Sequence, residues 1–356
     1  MHSKIKSEMQ NAFENVYDHH WYILGNEVDQ FEQDYASFNQ TKYCIGVSNG
    51  LDALFLALKA CNIDYGDEVI VPSNTYIATV LAVSYLGALP VFVEPDINTY
   101  NIDPSKIEDA VTSRTKAIIP VNLYGQCCEM QSIMELSNKY KLFVIEDNAQ
   151  SQGSSFNSKM AGSWGHINAT SFYPGKNLGA LGDAGAITTD NFQLAERIKV
   201  LRNYGSQKKY FNEVIGHNMR LDELQAAFLR VKLKSLLDWT KERQQIASWY
   251  DEALCGLGDL VLPKISTGAT HVYHLYVIRS EKRNALQNFL NEKGIGTLIH
   301  YPVPPYLQEA YQSLGYTKGS FPIAEKIADT CLSLPIWPGM QKDEIDYISE
   351  TIREFF

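Results

Sequence analysis

The sequence lacks any C-x-x-C pair, although it contains six cysteines. Adjacent Cys127 and Cys128 suit neither a disulfide framework nor a zinc site, and Cys44, Cys61, Cys255 and Cys331 stand alone. All six read as reduced thiols of a cytosolic, cytoplasmic protein, and no metal is expected. Runs of one charge are also missing. With 31 basic against 41 acidic residues the net charge is −10, and no basic patch stands out, which argues against nucleic acid as a partner. Any polyanionic ligand must therefore be met by local donors. The opening MHSKIKSEMQNAFENVYDHH has no apolar signal-peptide core, so export is not expected. Long hydrophobic runs are absent too. The most apolar region, 77 to 93, is interrupted by Thr79, Ser84, Gly87 and Pro90, and it reads as a helix, a Gly87 cap and a strand rather than a membrane span. The stretch VSNGLDAL has neither a P-loop lysine nor G-x-G-x-x-G, and no repeat or low-complexity tract is present in the chain.

What is present belongs to an ordinary globular protein, 45% hydrophobic and 20% charged over 356 residues. At roughly 150 residues per domain this suggests two domains with a cleft between them. Short β-branched runs (YCIGVSN, EVIVPS, LPVFVEP, KAIIPVNLY, KLFVIEDNA) alternate with helical stretches such as LDALFLALKACN and MQSIMELSNKY. Continuous apolar strands between helices indicate an α/β fold around a mostly parallel sheet covered on both faces. From 190 to about 248 the pattern predicts long amphipathic helices. HVYHLYVIR, RNALQNFLNEKGIG and TLIHYPV then read as strand, helix, strand. The expected division is a large α/β domain over 1–235 and a smaller C-terminal α+β domain over 236–356.

Three stretches carry candidate chemistry. In VSNGLDAL an extended run turns into an apolar helix, so the amides of Gly50 and Leu51 would sit at a helix N-terminus suited to a phosphate; taken alone, the stretch reads more readily as a plain cap by Ser48 or Asn49. FVIEDNAQ ends an apolar strand in acids, which places Asp147 at the carboxyl edge of a parallel sheet, either to hold a cationic heteroatom or to cap the next helix. In TSFYPGKNLGALGDAG, Pro174 and Gly175 stop a helix and further glycines shape the chain around Lys176. Partial desolvation there would lower the ammonium pKa and free the amine for a Schiff base; a snorkelling surface lysine is the alternative. A phosphate cradle, a carboxylate at a strand end and a reactive lysine are together what pyridoxal phosphate requires. Tyr76, after the EVIVP strand, is a candidate aromatic cover for its ring.

In order and wording these motifs resemble the DegT/DnrJ/EryC1/StrS nucleotide-sugar aminotransferases. The likeness runs through WYILGNEVDQFEQDYASF, GVSNGLDALFLALKA, GDEVIVPSNTYIATVLAV, VNLYGQ, VIEDNAQSQGS, SFYPGKNLGALGDAGAI, LRNYGSQKKY, NMRLDELQAA and HYPVPPYLQEAY. It implies an aspartate-aminotransferase-like fold, that of pyridoxal-phosphate fold type I. It further implies that Lys176 binds the cofactor aldehyde and shuttles a proton, that Asp147 pairs with the pyridine nitrogen, and that Gln150 lies near the ring oxygen. Tyr76 would stack on the ring, and Gly50, Leu51 and Ser171 would hold the phosphate. Asn218 would reach the phosphate of a neighbouring copy, making the active unit a homodimer with shared sites. Tyr173, Lys209, His300 and Tyr301 resemble residues lining the sugar and diphosphate pocket.

The phrase SFYPGKNLGALGD looks most like that of the sugar 3-aminotransferases, which aminate a dTDP-3-keto-6-deoxyhexose with L-glutamate as the usual donor, the cofactor alternating with pyridoxamine phosphate. A C4 aminotransferase, or a non-catalytic sensor that retains the cofactor, are the alternatives. Two departures from the family pattern are Leu51, where a threonine is common, and Met219, where serine or tyrosine is common.

Overall fold

The computed structural model describes residues 2–356. In chain order the strands are β1 (Tyr43–Val47), β2 (Glu68–Pro72), β3 (Leu89–Val93), β4 (Thr115–Ile118), β5 (Phe143–Asp147), β6 (Ser155–Phe156), β7 (Lys159–Met160), β8 (Ile167–Ser171), β9 (Gly185–Thr189), β10 (Tyr276–Arg279) and β11 (Cys331–Leu334). The α-helices are α1 (Lys6–His19), α2 (Asn26–Asn39), α3 (Gly50–Ala60), α4 (Ile77–Ser84), α5 (Met130–Tyr140), α6 (Phe192–Leu201), α7 (Glu223–Leu233), α8 (Leu236–Leu254), α9 (Arg283–Glu292), α10 (Pro322–Thr330) and α11 (Lys342–Phe355).

Seven strands form one sheet in the order β1-β9-β8-β5-β4-β2-β3. The pairs from β8 to β3 are parallel, whereas β9 runs antiparallel to both β8 and β1. Six strands therefore point the same way. Every residue of β2 and β9 is buried, as the unbroken apolar runs require when helices cover both sheet faces. The common direction positions the site: the carboxyl ends of β1, β2, β5 and β8 lead to Gly50, Tyr76, Asp147 and Ser171, and four distant stretches of chain converge on one sheet edge.

A second apolar cluster forms where α8, α9 and α11 close over the antiparallel pair β10–β11, burying Ile246, Tyr250, Tyr276, Leu286, Leu332 and Ile345. Not all of the C-terminal chain belongs to it. Tyr306, Tyr311, Ala324 and Ile327 pack on the core of the large sheet, and the Glu94 carboxylate accepts the first amides of α10, Ile323 at 2.8 Å and Ala324 at 2.9 Å.

Three expectations need correction. The stretch from 190 to 248 is not continuous helix: α6 ends at Leu201 and α7 begins at Glu223. Between them the chain makes a loop whose two ends are tied, Tyr204 N–H to the His217 carbonyl at 2.8 Å and His217 N–H to the Leu201 carbonyl at 2.7 Å. TLIHYPV is not a strand. Only Leu298 bridges to Ser333, and Pro302 has no N–H with which to extend a ladder, so β11 takes the place beside β10. HVYHLYVIR is a strand only from Tyr276 onward. Its first residues, 271–275, run as an irregular strap toward the sheet edge.

Candidate active site

Asp147, the last residue of β5, is the buried acid of the site. Its carboxylate accepts the Ala149 N–H at 3.1 Å and the Thr79 hydroxyl at 3.0 Å, and Thr79 is in turn within 3.0 Å of the Thr75 hydroxyl. Burial raises its pKa above the ordinary aspartate value; the two hydrogen bonds and the charge of Lys176 partly offset this. No basic side chain forms an ion pair with it at contact distance among the described residues. A buried carboxylate in this condition has room for a cationic ligand atom.

Lys176 lies across from it on the shaped loop. The loop turns where the Lys176 N–H meets the Tyr173 carbonyl at 2.8 Å, and it closes where the Ala180 N–H meets the Phe172 carbonyl at 2.8 Å. Gly179 makes that closure possible, because a Cβ there would sit 2.4 Å from the Pro174 carbonyl oxygen. Desolvation lowers the Lys176 pKa to about 8, against the opposing pull of Asp147, and its Nζ makes no hydrogen bond in the structure. A minority of this amine, far more than of an ordinary lysine, is therefore neutral near physiological pH and able to attack a carbonyl.

The phosphate candidates also meet. Asn49 caps α3 by accepting the Asp52 N–H at 2.9 Å, so the plain capping role and the cradle coexist: the Gly50 and Leu51 amides remain without an acceptor at the positive end of the helix. A Cβ on Gly50 would lie 2.5 Å from the Cβ of Ser171, which places the serine hydroxyl beside those amides.

Around this centre Tyr76 lies 5.2 Å from Tyr301 between ring centroids, tilted by 36°. Gln150 bridges the floor, accepting the Tyr124 N–H at 2.7 Å and donating to the Tyr301 hydroxyl at 3.1 Å. The His300 Nδ1 is 2.8 Å from the Ser333 hydroxyl, and burial together with the Lys176 charge pushes its pKa down to about 4, so it is neutral at physiological pH. The chain does not bring the remaining candidates to this centre. Tyr173 is exposed beside it, Asn218 is exposed at the base of the tied loop opposite Asn203, and Lys209 stands at the loop tip with its ammonium over the Tyr210 ring at 5.2 Å.

Sequence reading missed several partners. Thr79 orients Asp147; its position three residues after Tyr76, one turn into α4, was the available signal. Asn177 donates to the Val272 carbonyl at 3.0 Å, fastening the loop of Lys176 to the strap. His274, on that strap, lies within the electrostatic field of Lys176 and His300, and no local pattern announces it.

Comparison with known proteins decides the family. The family model described as "DegT/DnrJ/EryC1/StrS aminotransferase family" matches residues 3–353. The chain belongs to that family. It is 53% identical over 352 residues to the dTDP-3-amino-3,6-dideoxy-alpha-D-galactopyranose transaminase of Aneurinibacillus thermoaerophilus, covering 99% of this chain and 96% of the relative. Among solved structures it superposes on Streptomyces venezuelae DesV in complex with a ketimine intermediate, with a TM-score of 0.98 at 43% identity, covering 99% of this chain and 95% of that one. Bacillus subtilis NtdA with bound pyridoxamine phosphate gives a TM-score of 0.93 at 34% identity, covering 99% and 82%. The protein is thus an aminotransferase of the pyridoxal-phosphate type, an enzyme rather than a sensor. No helix among the described residues is long and apolar enough to cross a membrane, and no cluster of three or more His, Cys, Asp or Glu side chains could hold a metal among them.

Proposed function

We propose that the enzyme transfers an amino group from L-glutamate to C3 of a dTDP-3-keto-6-deoxyhexose, giving a dTDP-3-amino-3,6-dideoxyhexose. The reading rests on one juxtaposition: a buried Asp147 with no ionic partner in contact faces a free, desolvated Lys176 amine at the carboxyl edge of a parallel sheet. Those residues fit pyridoxal phosphate, which when bound supplies an aldehyde to carry the amino group and a ring to take up the electron pair of the broken C–H bond. Asp147 would hold the proton on the ring nitrogen, and Thr79 holds Asp147. Gly50, Leu51 and Ser171 would bind the phosphate, Tyr76 would cover the ring, and Gln150 would lie near the ring oxygen. Lys176 Nζ would take the proton from the donor carbon and give it to the former aldehyde carbon of the cofactor, on the other side of the nitrogen; a pKa of about 8 suits both tasks near neutral pH.

The relative that carries a 3-amino-3,6-dideoxygalactose name supports the choice of C3 and of a dTDP sugar. On this reading Tyr173, His300 and Tyr301 line the sugar pocket. Asn218 and Lys209 serve the site of a second copy, so that the active unit is a homodimer; their exposure, and that of Tyr210 and Ile215 on the same loop, supports such an arrangement. We also place the boundary between a large domain (1–235) and a small one (236–356) at the start of α8.

The visible spectrum tests the first half of the reaction. The cofactor–lysine band should bleach on adding L-glutamate, and persistence of the band with every amino donor would overturn the reading. Product analysis tests the second half, since an amino group at C4 would replace the proposed regiochemistry.

A further inference from the structure

Tyr124 grips the wall of the cleft at two places. Its N–H donates to Gln150 Oε1 at 2.7 Å, and its hydroxyl donates to the carbonyl of His300, the residue just ahead of Tyr301. Tyr124 itself holds a left-handed φ of 59°, which a bulky residue keeps only where its surroundings impose it. Here the preceding Leu123 N–H is held by Asn101 at 2.9 Å, and the Tyr100 ring packs edge-on at 5.3 Å. The bond to Gln150 settles the direction of the hydrogen bond beyond it. A backbone N–H only donates, so the atom it meets is the amide oxygen, and the amide nitrogen faces the other way. Gln150 Nε2 therefore donates to the Tyr301 hydroxyl at 3.1 Å, and Tyr301 cannot return its own proton to that nitrogen. Burial raises the phenol pKa above its ordinary value, against the pull of the Gln150 donor, so the proton stays on the oxygen. Among the described residues no acceptor receives it. The half-buried Tyr301 ring lies 5.2 Å from that of Tyr76, the expected cover of the cofactor ring, so this unpaired donor belongs to the wall of the ligand cleft.

We propose that Gln150 is a positioning residue that fixes the Tyr301 hydroxyl as a hydrogen-bond donor to a ligand oxygen. Two oxygens have the required chemistry: the ring oxygen of pyridoxal phosphate and an oxygen of the sugar. The inference rests on the proposed cofactor site and deepens it. The groups that face the hydroxyl are Gln150 and Asp147 from the end of β5, Tyr76 from the head of α4, and His300, whose ring lies 5.4 Å from that of Tyr301 at 82°. Burial keeps His300 neutral, so Asp147 is the charge that bears on it. A carboxylate in place of the Gln150 amide would reverse the arrangement. It keeps an acceptor for the Tyr124 N–H, but its second oxygen can only accept, and it takes the Tyr301 proton for itself. The ligand would then meet an oxygen lone pair where it now meets a hydrogen, at almost unchanged side-chain shape.

The test is a double-mutant cycle on the full-length protein loaded with pyridoxal 5′-phosphate: wild type, Tyr301→Phe, Gln150→Glu and the double variant. Two quantities are read, the pH midpoint of the visible cofactor–lysine band and the KM and kcat for the keto sugar. A donor to the ring oxygen steadies its negative charge, which stands uncompensated once the linking nitrogen loses its proton. Removing such a donor in Tyr301→Phe should therefore raise the midpoint by about one unit, a tenfold change in the protonation constant. A donor to the sugar would instead leave the midpoint and the bleaching by L-glutamate in place and raise KM by about tenfold. Either result supports the proposal and names the oxygen. The part played by Gln150 is read from the cycle. On the Gln150→Glu background, where the hydroxyl proton is already captured, Tyr301→Phe should change the same quantity by less than about twofold. An equal change on both backgrounds would show that the hydroxyl donates without Gln150 and would overturn the proposal, as would Tyr301→Phe leaving both quantities unmoved. Should Gln150→Glu fail to fold, Gln150→Leu takes its place and should at least halve the effect of Tyr301→Phe; an undiminished effect again overturns it. A wild-type protein with no visible band after addition of pyridoxal phosphate would instead sink the cofactor site itself.

Discussion

Two lysines of this enzyme have their pKa lowered to about 8 by burial, and only one of them is placed to do chemistry. Lys232, on α7, is almost fully enclosed, and its Nζ donates to the Gly179 carbonyl at 2.6 Å. Lys176 is half-buried, makes no hydrogen bond from Nζ and faces Asp147 across the cleft. Desolvation alone therefore does not define a reactive amine. What matters is a lone pair with access to a ligand and an acid opposite to hold that ligand. The two are also linked through one loop, because the carbonyl that Lys232 grips belongs to Gly179, three residues beyond Lys176. One lysine has its amine open to the cleft, and the other holds the loop that presents it.

The comparison breaks most sharply at Lys176 itself. Lys176→Ala should abolish the visible cofactor band and lower turnover by at least about 10⁴-fold, since both the covalent partner and the proton carrier are lost. Asp147→Ala should come next, with kcat reduced by about 10²–10³-fold while cofactor affinity falls less, because the phosphate cradle remains; strong cofactor loss with normal turnover of the remaining holoenzyme would reverse that assignment. Gly50→Ala drives a Cβ against Ser171, an overpacking of about 1–3 kcal/mol, and should weaken binding of the cofactor to the apoprotein by about 5- to 100-fold in a fluorescence titration. Lys232→Met should have the smallest effect, keeping the band and turnover within about threefold. Its signature lies in stability. Between about 8 and 10.5 the folded chain binds fewer protons at Lys232 than the unfolded chain, so unfolding free energy rises with pH across that window, and the methionine variant should lose part of that slope in denaturant titrations.

How far the sequence disclosed this arrangement depends on the range over which each residue acts. Asp147, Gly50 and Lys176 were legible because their signals are local: an apolar strand ending in an acid, a strand turning into a helix through Asn49-Gly50, and a lysine set among glycines and a proline. Strand alternation with helices likewise foretold the large sheet. The antiparallel β9 was not apparent, because its GAITT reads like any buried strand and direction is settled only by the connection. His274 and Lys232 were invisible for a different reason. The histidine owes its place to anchors from three separate segments, and the lysine sits on an otherwise amphipathic helix where a solvated position is the ordinary expectation. TLIHYPV is not a strand despite its apolar residues, because Pro302 within it has no N–H with which to extend a ladder.

The measurement that goes straight to the central claim is borohydride reduction of the holoenzyme followed by peptide mapping. Reduction fixes the cofactor to whichever amine holds it. The pyridoxyl group should be found on the peptide containing Lys176 and not on that containing Lys232. Label on Lys232, or on no lysine of the chain, would contradict the account.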